Sequence, residues 1–176
     1  MPTLEVIKMG NPLLRSVCQP VTNDEIASQE FQAFIDSLIL TMQEEDGAGI
    51  AAPQVGILKR LFVIEMDGNK RYPDEDNFPM TVIINPEIKI LSNEITDSWE
   101  GCLSIPGIRG KLKRSKQVQL SGVDRHGEPF EKILDGFPAI VAQHELDHLN
   151  GILFIDRMKT METLTFEEEY SKYWNV

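Results

Sequence analysis

The feature that most constrains this chain is the run Gln143-His144-Glu145-Leu146-Asp147-His148-Leu149. On a helix, His144 and His148 stand about 40° apart around the axis and about 6 Å apart along it, so their imidazoles can converge on one metal ion. Ile140 and Val141 continue the same stripe, which turns this face inward. The spacing predicts a helix from about Phe137 to Leu149, with Pro138 in its first turn and Asn150-Gly151 at its end. Glu145 projects to one side of the pair, where zinc hydrolases use a glutamate to handle the proton of a metal-bound water. Helix histidines can also simply cap or pack. The chain has only three histidines, however, and this pattern on an apolar-faced helix is a rare coincidence among so few.

Two ligands do not hold a catalytic metal; three protein ligands and a water are usual. His126 falls in Asp124-Arg125-His126-Gly127, a hairpin turn, and reads as a solvated residue. Glu162, Glu167, Glu168 or Glu169 would complete a thermolysin-like set, although such an acidic cluster is more often a solvated helix face. Cys102, within Trp99-Glu100-Gly101-Cys102-Leu103-Ser104, offers a sulfur that suits zinc or ferrous iron. Gly101 would let the backbone come close to a bound group. On spacing alone, a buried structural cysteine is at least as good a reading of Cys102. Cys18 has no supporting motif and is read as a packing residue.

Ile26, Phe31, Phe34, Ile35, Leu38, Ile39 and Met42 recur at helical spacing, predicting a helix over about Asp24–Glu45. Asn23 or Asp24 caps its start, and Asp46-Gly47-Ala48-Gly49 ends it. Strand-like runs follow at Arg60–Met66, Thr81–Ile90, Ile95–Trp99, Gln117–Val123 and Pro129–Leu134. Arg71–Pro79 is polar with two prolines and reads as a surface loop. A terminal helix is expected over Thr163–Trp174. This order predicts an α+β fold: mostly antiparallel sheets around a central helix that carries the metal motif, with an N-terminal and a C-terminal helix. A length of 176 residues suits one domain spanning 1–176 that buries its core without disulfides.

The net charge of −11 argues against a DNA-binding face, leaving only a local basic cluster at Arg109, Lys111, Lys113, Arg114 and Lys116. No apolar run is long enough to span a bilayer, so no membrane partner is expected. Met1-Pro2-Thr3-Leu4-Glu5-Val6 lacks the pattern of a secretory signal. Two cysteines do not make a disulfide framework. A cytoplasmic setting is the expectation.

Three segments together resemble the peptide deformylase family: Gly47-Ala48-Gly49-Ile50-Ala51-Ala52-Pro53-Gln54, Glu100-Gly101-Cys102-Leu103-Ser104, and Gln143-His144-Glu145-Leu146-Asp147-His148-Leu149. The similarity extends from Asn11-Pro12-Leu13-Leu14-Arg15 to Ile155-Asp156-Arg157. It implies Cys102, His144 and His148 as metal ligands and Glu145 as general acid/base. It implies that the Gln54 amide and the Leu103 backbone N–H face the developing oxyanion. Gly49, Ile50, Glu100, Arg109, Ile140 and Val141 are assigned by it to substrate binding. The implied reaction is hydrolysis of the N-formyl group from the initiator methionine of nascent chains, with attack by metal-bound water and release of formate. The implied cofactor is one divalent ion, natively Fe(II), with zinc, nickel or cobalt as substitutes. The implied partners are N-formylmethionyl nascent peptides, met near the ribosomal exit tunnel, although no ribosome-docking element is identifiable. Ile50 stands where leucine is common, Ala48 where isoleucine or valine is frequent, and Val141 where some members carry cysteine. These departures touch fine specificity and not the chemistry.

Two other classes compete. A zinc endopeptidase shares the helix motif but needs a third His or Glu ligand and an extended groove. A structural zinc module needs a closed site, commonly of four protein ligands.

Overall fold

The computed structural model describes residues 2–67 and 78–174. In chain order its main elements are α1 (Asn23–Ala27), α2 (Gln29–Glu44), β1 (Gly49–Ala51), β2 (Leu61–Ile64), β3 (Thr81–Ile90), β4 (Ile95–Cys102), β5 (Ile105–Ser115), β6 (Gln117–Val123), β7 (Pro129–Asp135), α3 (Gly136–Leu149), α4 (Phe154–Arg157), β8 (Thr165–Phe166) and α5 (Glu167–Tyr173). One sheet has the order β1-β2-β3-β6-β7 and a smaller one β4-β5-β8, with every pairing antiparallel. The α+β class expected from the sequence is the class observed.

The four consecutive apolar residues of β2 explain the layering. A strand apolar at every position needs cover on both faces, because successive side chains point to opposite sides. Leu61 and Val63 pack with Phe31, Ile35, Leu38 and Met42 of α2. Phe62 and Ile64 pack with Ala139, Val141 and Ala142 of α3. All four β2 side chains are fully buried, each contributing roughly 1.5–3 kcal/mol of apolar transfer as an upper estimate. The large sheet is thus held between two helices. α3 also packs against β5 of the small sheet, so it occupies the seam between the sheets.

The predicted N-terminal helix is two helices. Ser28 is extended (φ −75°, ψ 140°) and its Oγ accepts from the Phe31 amide, which restarts the chain as α2. Thr22 caps α1 in a reciprocal box with Glu25. The helical spacing survives the break because α1 and α2 bury Ile26, Phe31, Ile35 and Leu38 in the same cluster. β5, the longest strand at 11 residues, was not expected, and β4 runs on to Cys102. The expected terminal helix begins only at Glu167, preceded by the two-residue β8. Of the Arg71–Pro79 loop, residues 71–77 lie outside the described residues, and Phe78 is buried against the α3 side of the sheet. No helix among the described residues is long and apolar enough to cross a membrane.

Candidate metal centre

α3 is buried over most of its circumference: Val141, His144, Glu145, Asp147 and His148 are all inaccessible or nearly so. Cys102 arrives from the end of β4, where the register with β5 shifts between Gly101 and Cys102. The ligand atoms of Cys102, His144 and His148 all lie within 4.8 Å of one another. Cys102 Sγ stands 3.3 Å from His148 Nε2. Tetrahedral bonds of about 2.3 Å to sulfur and 2.0 Å to nitrogen separate two such atoms by about 3.5 Å. The donor set therefore fits a small divalent ion.

The atoms behind the ligands are arranged for the same purpose. His144 Nδ1 lies 2.8 Å from Glu100 Oε2, which leaves Nε2 facing the sulfur. Glu100 is gripped by Arg114, whose Nε and Nη2 donate at 2.7 and 2.9 Å, while Nη1 donates at 2.7 Å to Asp147. Arg157 also donates to Asp147 at 2.7 Å. Burial works to raise the Glu100 carboxyl, but the bonds from Arg114 and His144 outweigh it and hold it at about 2. A carboxylate behind a ligand histidine fixes its tautomer and ring orientation. Burial pushes the His148 imidazole well below its usual range, reinforced by His144 and Arg114; the neutral ring is the form that ligates a metal.

Glu145 lies beside the ligands at 3% exposure, and among the described residues its buried Oε2 has no hydrogen-bond partner. Burial raises its carboxyl to about 7; the positive charges of His144 and Arg114 oppose this and the Glu100 carboxylate reinforces it. It backs directly onto Gly49, where a Cβ would fall 2.6 Å from Glu145 Oε1. Gln54 comes from a 3-10 turn (Ala52–Val55), with its Oε1 accepting from the Ala51 amide at 2.8 Å. That bond turns Nε2 toward the site, 3.6 Å from Cys102 Sγ and 3.3 Å from Ser104 Oγ.

A cleft of ≈ 500 Å³ of empty space opens onto this centre. Gly49, Gln54, Cys102, Leu103, His144 and Glu145 line the end at the candidate metal centre, and Phe137, Ile140 and Val141 form an apolar wall. Among the described residues that line the cleft, Ile50 and Arg109, both assigned to the substrate, are not found. Ile50 is fully buried in the α2 cluster, because β1 alternates and turns Gly49 and Ala51 toward α3 but Ile50 away. Arg109 sits opposite Gly101 on the outer side of the small sheet, where its Nε donates to Glu167 Oε2 at 2.7 Å. Glu100 borders the cleft, but its carboxylate is committed to Arg114 and His144.

Other expectations resolve similarly. The basic cluster is neutralised locally: Lys111 and Lys113 pair with Asp97, Lys116 with Glu94, and the two arginines are buried on carboxylates. His126 is an exposed turn residue. Glu169 pairs with Lys172, and among the described residues no downstream glutamate joins the histidines. Both cysteines are free. Sequence reasoning missed Ser104, Trp99, Phe137 and Asp147, and gave Arg114 no role at the site.

Residues 3–164 match a family profile described as Polypeptide deformylase. The peptide deformylase of Leptospira biflexa is 40% identical over 170 residues, covering 96% of this chain and 95% of that protein. A class I type b peptide deformylase from Acinetobacter baumannii, solved with Met-Ala-Ser bound, is similar at TM-score 0.85 and 42% identity, covering 89% of this chain and 98% of that one. The same enzyme with the compound K4U bound gives TM-score 0.86 and 41% identity, over 90% and 100% of the two chains.

Proposed function

Since the chain belongs to the polypeptide deformylase family of metal-dependent hydrolases acting on N-formyl-methionine peptides, we propose that it removes the formyl group from nascent chains through the residues around Cys102, His144 and His148. The observation that carries this reading is the convergence of those three buried ligands at the floor of a cleft shared by Glu145 and Gln54.

Cys102, His144 and His148 would hold a divalent ion, which when bound would supply Lewis-acid chemistry for activating water near neutral pH, where the pKa of a bound water falls to about 7. Glu145 accepts the proton of the attacking water and delivers it to the leaving amine; a carboxyl raised to about 7 is matched to moving a proton near neutrality. Gln54 Nε2, already aimed at the site, and the Leu103 backbone N–H donate to the oxygen as it gains charge, each worth about 3–4 kcal/mol of barrier by comparison with other hydrolases. Phe137, Ile140 and Val141 receive the methionine side chain and exclude water from it. Gly49 keeps the space above Glu145 open for the formamide.

The unit is one catalytic domain over 1–176. Its native metal is Fe(II), with zinc, nickel or cobalt as working substitutes, since one sulfur and two imidazoles accept all of these. Its substrates are N-formylmethionyl peptides, met in the cytoplasm near the ribosomal exit. A cysteine as third ligand favours this over an endopeptidase with a downstream glutamate. Formate release from formyl-Met-Ala by anaerobically purified protein, with metal analysis of the same sample, tests the proposal. Formate release with no internal cleavage of longer peptides is expected; cleavage of internal bonds without formate release would replace it with the peptidase reading.

A further inference from the structure

β4 sorts its side chains by alternation. Ser98, Glu100 and Cys102 are buried on the inner side, whereas Trp99 stands on the outer side, half-buried, and borders the cleft. Its ring is held from behind by the C-terminal segment: the Tyr170 ring centroid lies 5.0 Å away and that of Trp174 5.3 Å away, both tilted. The same segment grips the neighbouring strand. β8 pairs with Ile108 and Arg109, Glu167 takes the Arg109 guanidinium, and that guanidinium lies 5.3 Å from the Tyr170 ring centroid.

α5 has no buried residue of its own, so it adds little to the hydrophobic core. Its contacts instead converge on Trp99 and Arg109, the two outward side chains nearest the Gly101–Leu103 lip of the cleft. Trp99 is the only ring of the three that reaches the cleft. The reactive end is closed by Cys102, His144 and Glu145, and Phe137, Ile140 and Val141 take the first side chain. The rest of a peptide leaves past the remaining lining, Gly47, Ala48, Trp99 and Gly101, of which Trp99 carries the one large side chain.

We propose that Trp99 is a specificity-determining residue that contacts the side chain following formyl-methionine, and that α5 is the buttress that sets its ring. This rests on the deformylase reading of the cleft. An aromatic face held in place favours aromatic and bulky apolar partners, by about two- to tenfold over small ones.

Trp99 and Trp174 are the only tryptophans, so in Trp174→Phe the emission reports Trp99 alone. The metal-loaded protein is titrated with the product peptides Met-Phe-Ser and Met-Gly-Ser. Trp99 emission is expected to shift with both and to saturate at lower concentration with Met-Phe-Ser. In parallel, the ratio of kcat/KM for formyl-Met-Phe-Ser over formyl-Met-Gly-Ser is measured. Trp99→Ala should lower this ratio about three- to tenfold, Trp99→Phe should largely restore it, and Tyr170→Ala should lower it less than Trp99→Ala. An emission that saturating peptide leaves unmoved, or a ratio unchanged in Trp99→Ala, overturns the proposal. Absence of formate release by the wild type refutes the deformylase reading instead, while the emission titration still decides whether Trp99 borders the occupied cleft.

Discussion

Replacing Arg114 with methionine perturbs the site without touching a metal ligand. The guanidinium makes three charge-assisted bonds of 2.7, 2.9 and 2.7 Å to Glu100 and Asp147, with side-chain exposures of 5%, 5% and 8% for the three residues. Methionine fills most of the volume but leaves two buried carboxylates without their shared cation, a change that costs about 3–5 kcal/mol. The Glu100 carboxyl gives a second route to the magnitude. It is held at about 2 against an ordinary 4.5, and at about 1.4 kcal/mol per unit this corresponds to about 3 kcal/mol, part of it due to His144. Because the folded pKa is depressed, that stability is present above about pH 4.5 and is lost as pH falls through the folded value near 2. Urea unfolding of metal-free wild type and Arg114→Met, followed by circular dichroism, should therefore show a difference of about 3–5 kcal/mol near pH 7 that shrinks by about 2 kcal/mol toward pH 3. A difference under about 1 kcal/mol, or one that does not change with pH, would refute the assignment of Arg114 as the counter-ion of this pair.

Three further outcomes are expected. Glu145→Gln should abolish formate release yet stabilise the metal-free protein: a buried carboxyl raised to about 7 penalises folding increasingly as pH rises from about 4.5 to about 7, so urea melts should differ by about 3 kcal/mol above that range and by almost nothing below it. Gly49→Ala puts a Cβ 2.6 Å from Glu145 Oε1; kcat should fall at least tenfold as Glu145 is displaced, with a stability loss of about 1–3 kcal/mol in thermal melts. Glu100→Gln removes the anionic acceptor behind His144 Nδ1, and metal loss to a chelator should quicken by about 10- to 100-fold.

The layered core was readable because its signals are local. The period of Phe31, Ile35, Leu38 and Met42 and the unbroken apolar run of β2 each report burial directly. β5 escaped for a physical reason. Its inner face carries Gly110 and Arg114 where apolar residues are expected, Gly110 because Phe154 and Met158 press against it and Arg114 because Glu100 and Asp147 neutralise it. An arginine buried by its partners looks, in sequence, like a solvated one. Ser28 breaks a helix through one side-chain bond that leaves the periodicity intact. At the site, the histidine pair and Glu145 were legible from spacing alone. The place of Cys102 came only with the family resemblance, since it depends on where β4 ends relative to α3. The assignment of Ile50 to substrate carried over a position without its side-chain direction, which the alternation of β1 sends into the α2 cluster, whereas the Arg109 guanidinium is drawn to Glu167, a partner far off in sequence.

α3 is shared by two sheets that, among the described residues, pair with each other through no strand, and Cys102 belongs to one sheet while both histidines ride on the helix. This layout predicts two units that open separately, each with its own free energy of exposure, joined through α3 by the Glu100–His144 and Arg114–Asp147 contacts. An ion bound across them acts as a staple over the 42 residues from Cys102 to His144, stabilising the small sheet by mass action in proportion to its affinity. Amide hydrogen exchange resolves this: metal loading should slow exchange along Ile108–Ser115, while Leu61–Ile64 keeps the protection it has in the metal-free protein. The small sheet would then be the part of the molecule that unfolds first when the metal is lost, exposing Cys102 while the large sheet stands.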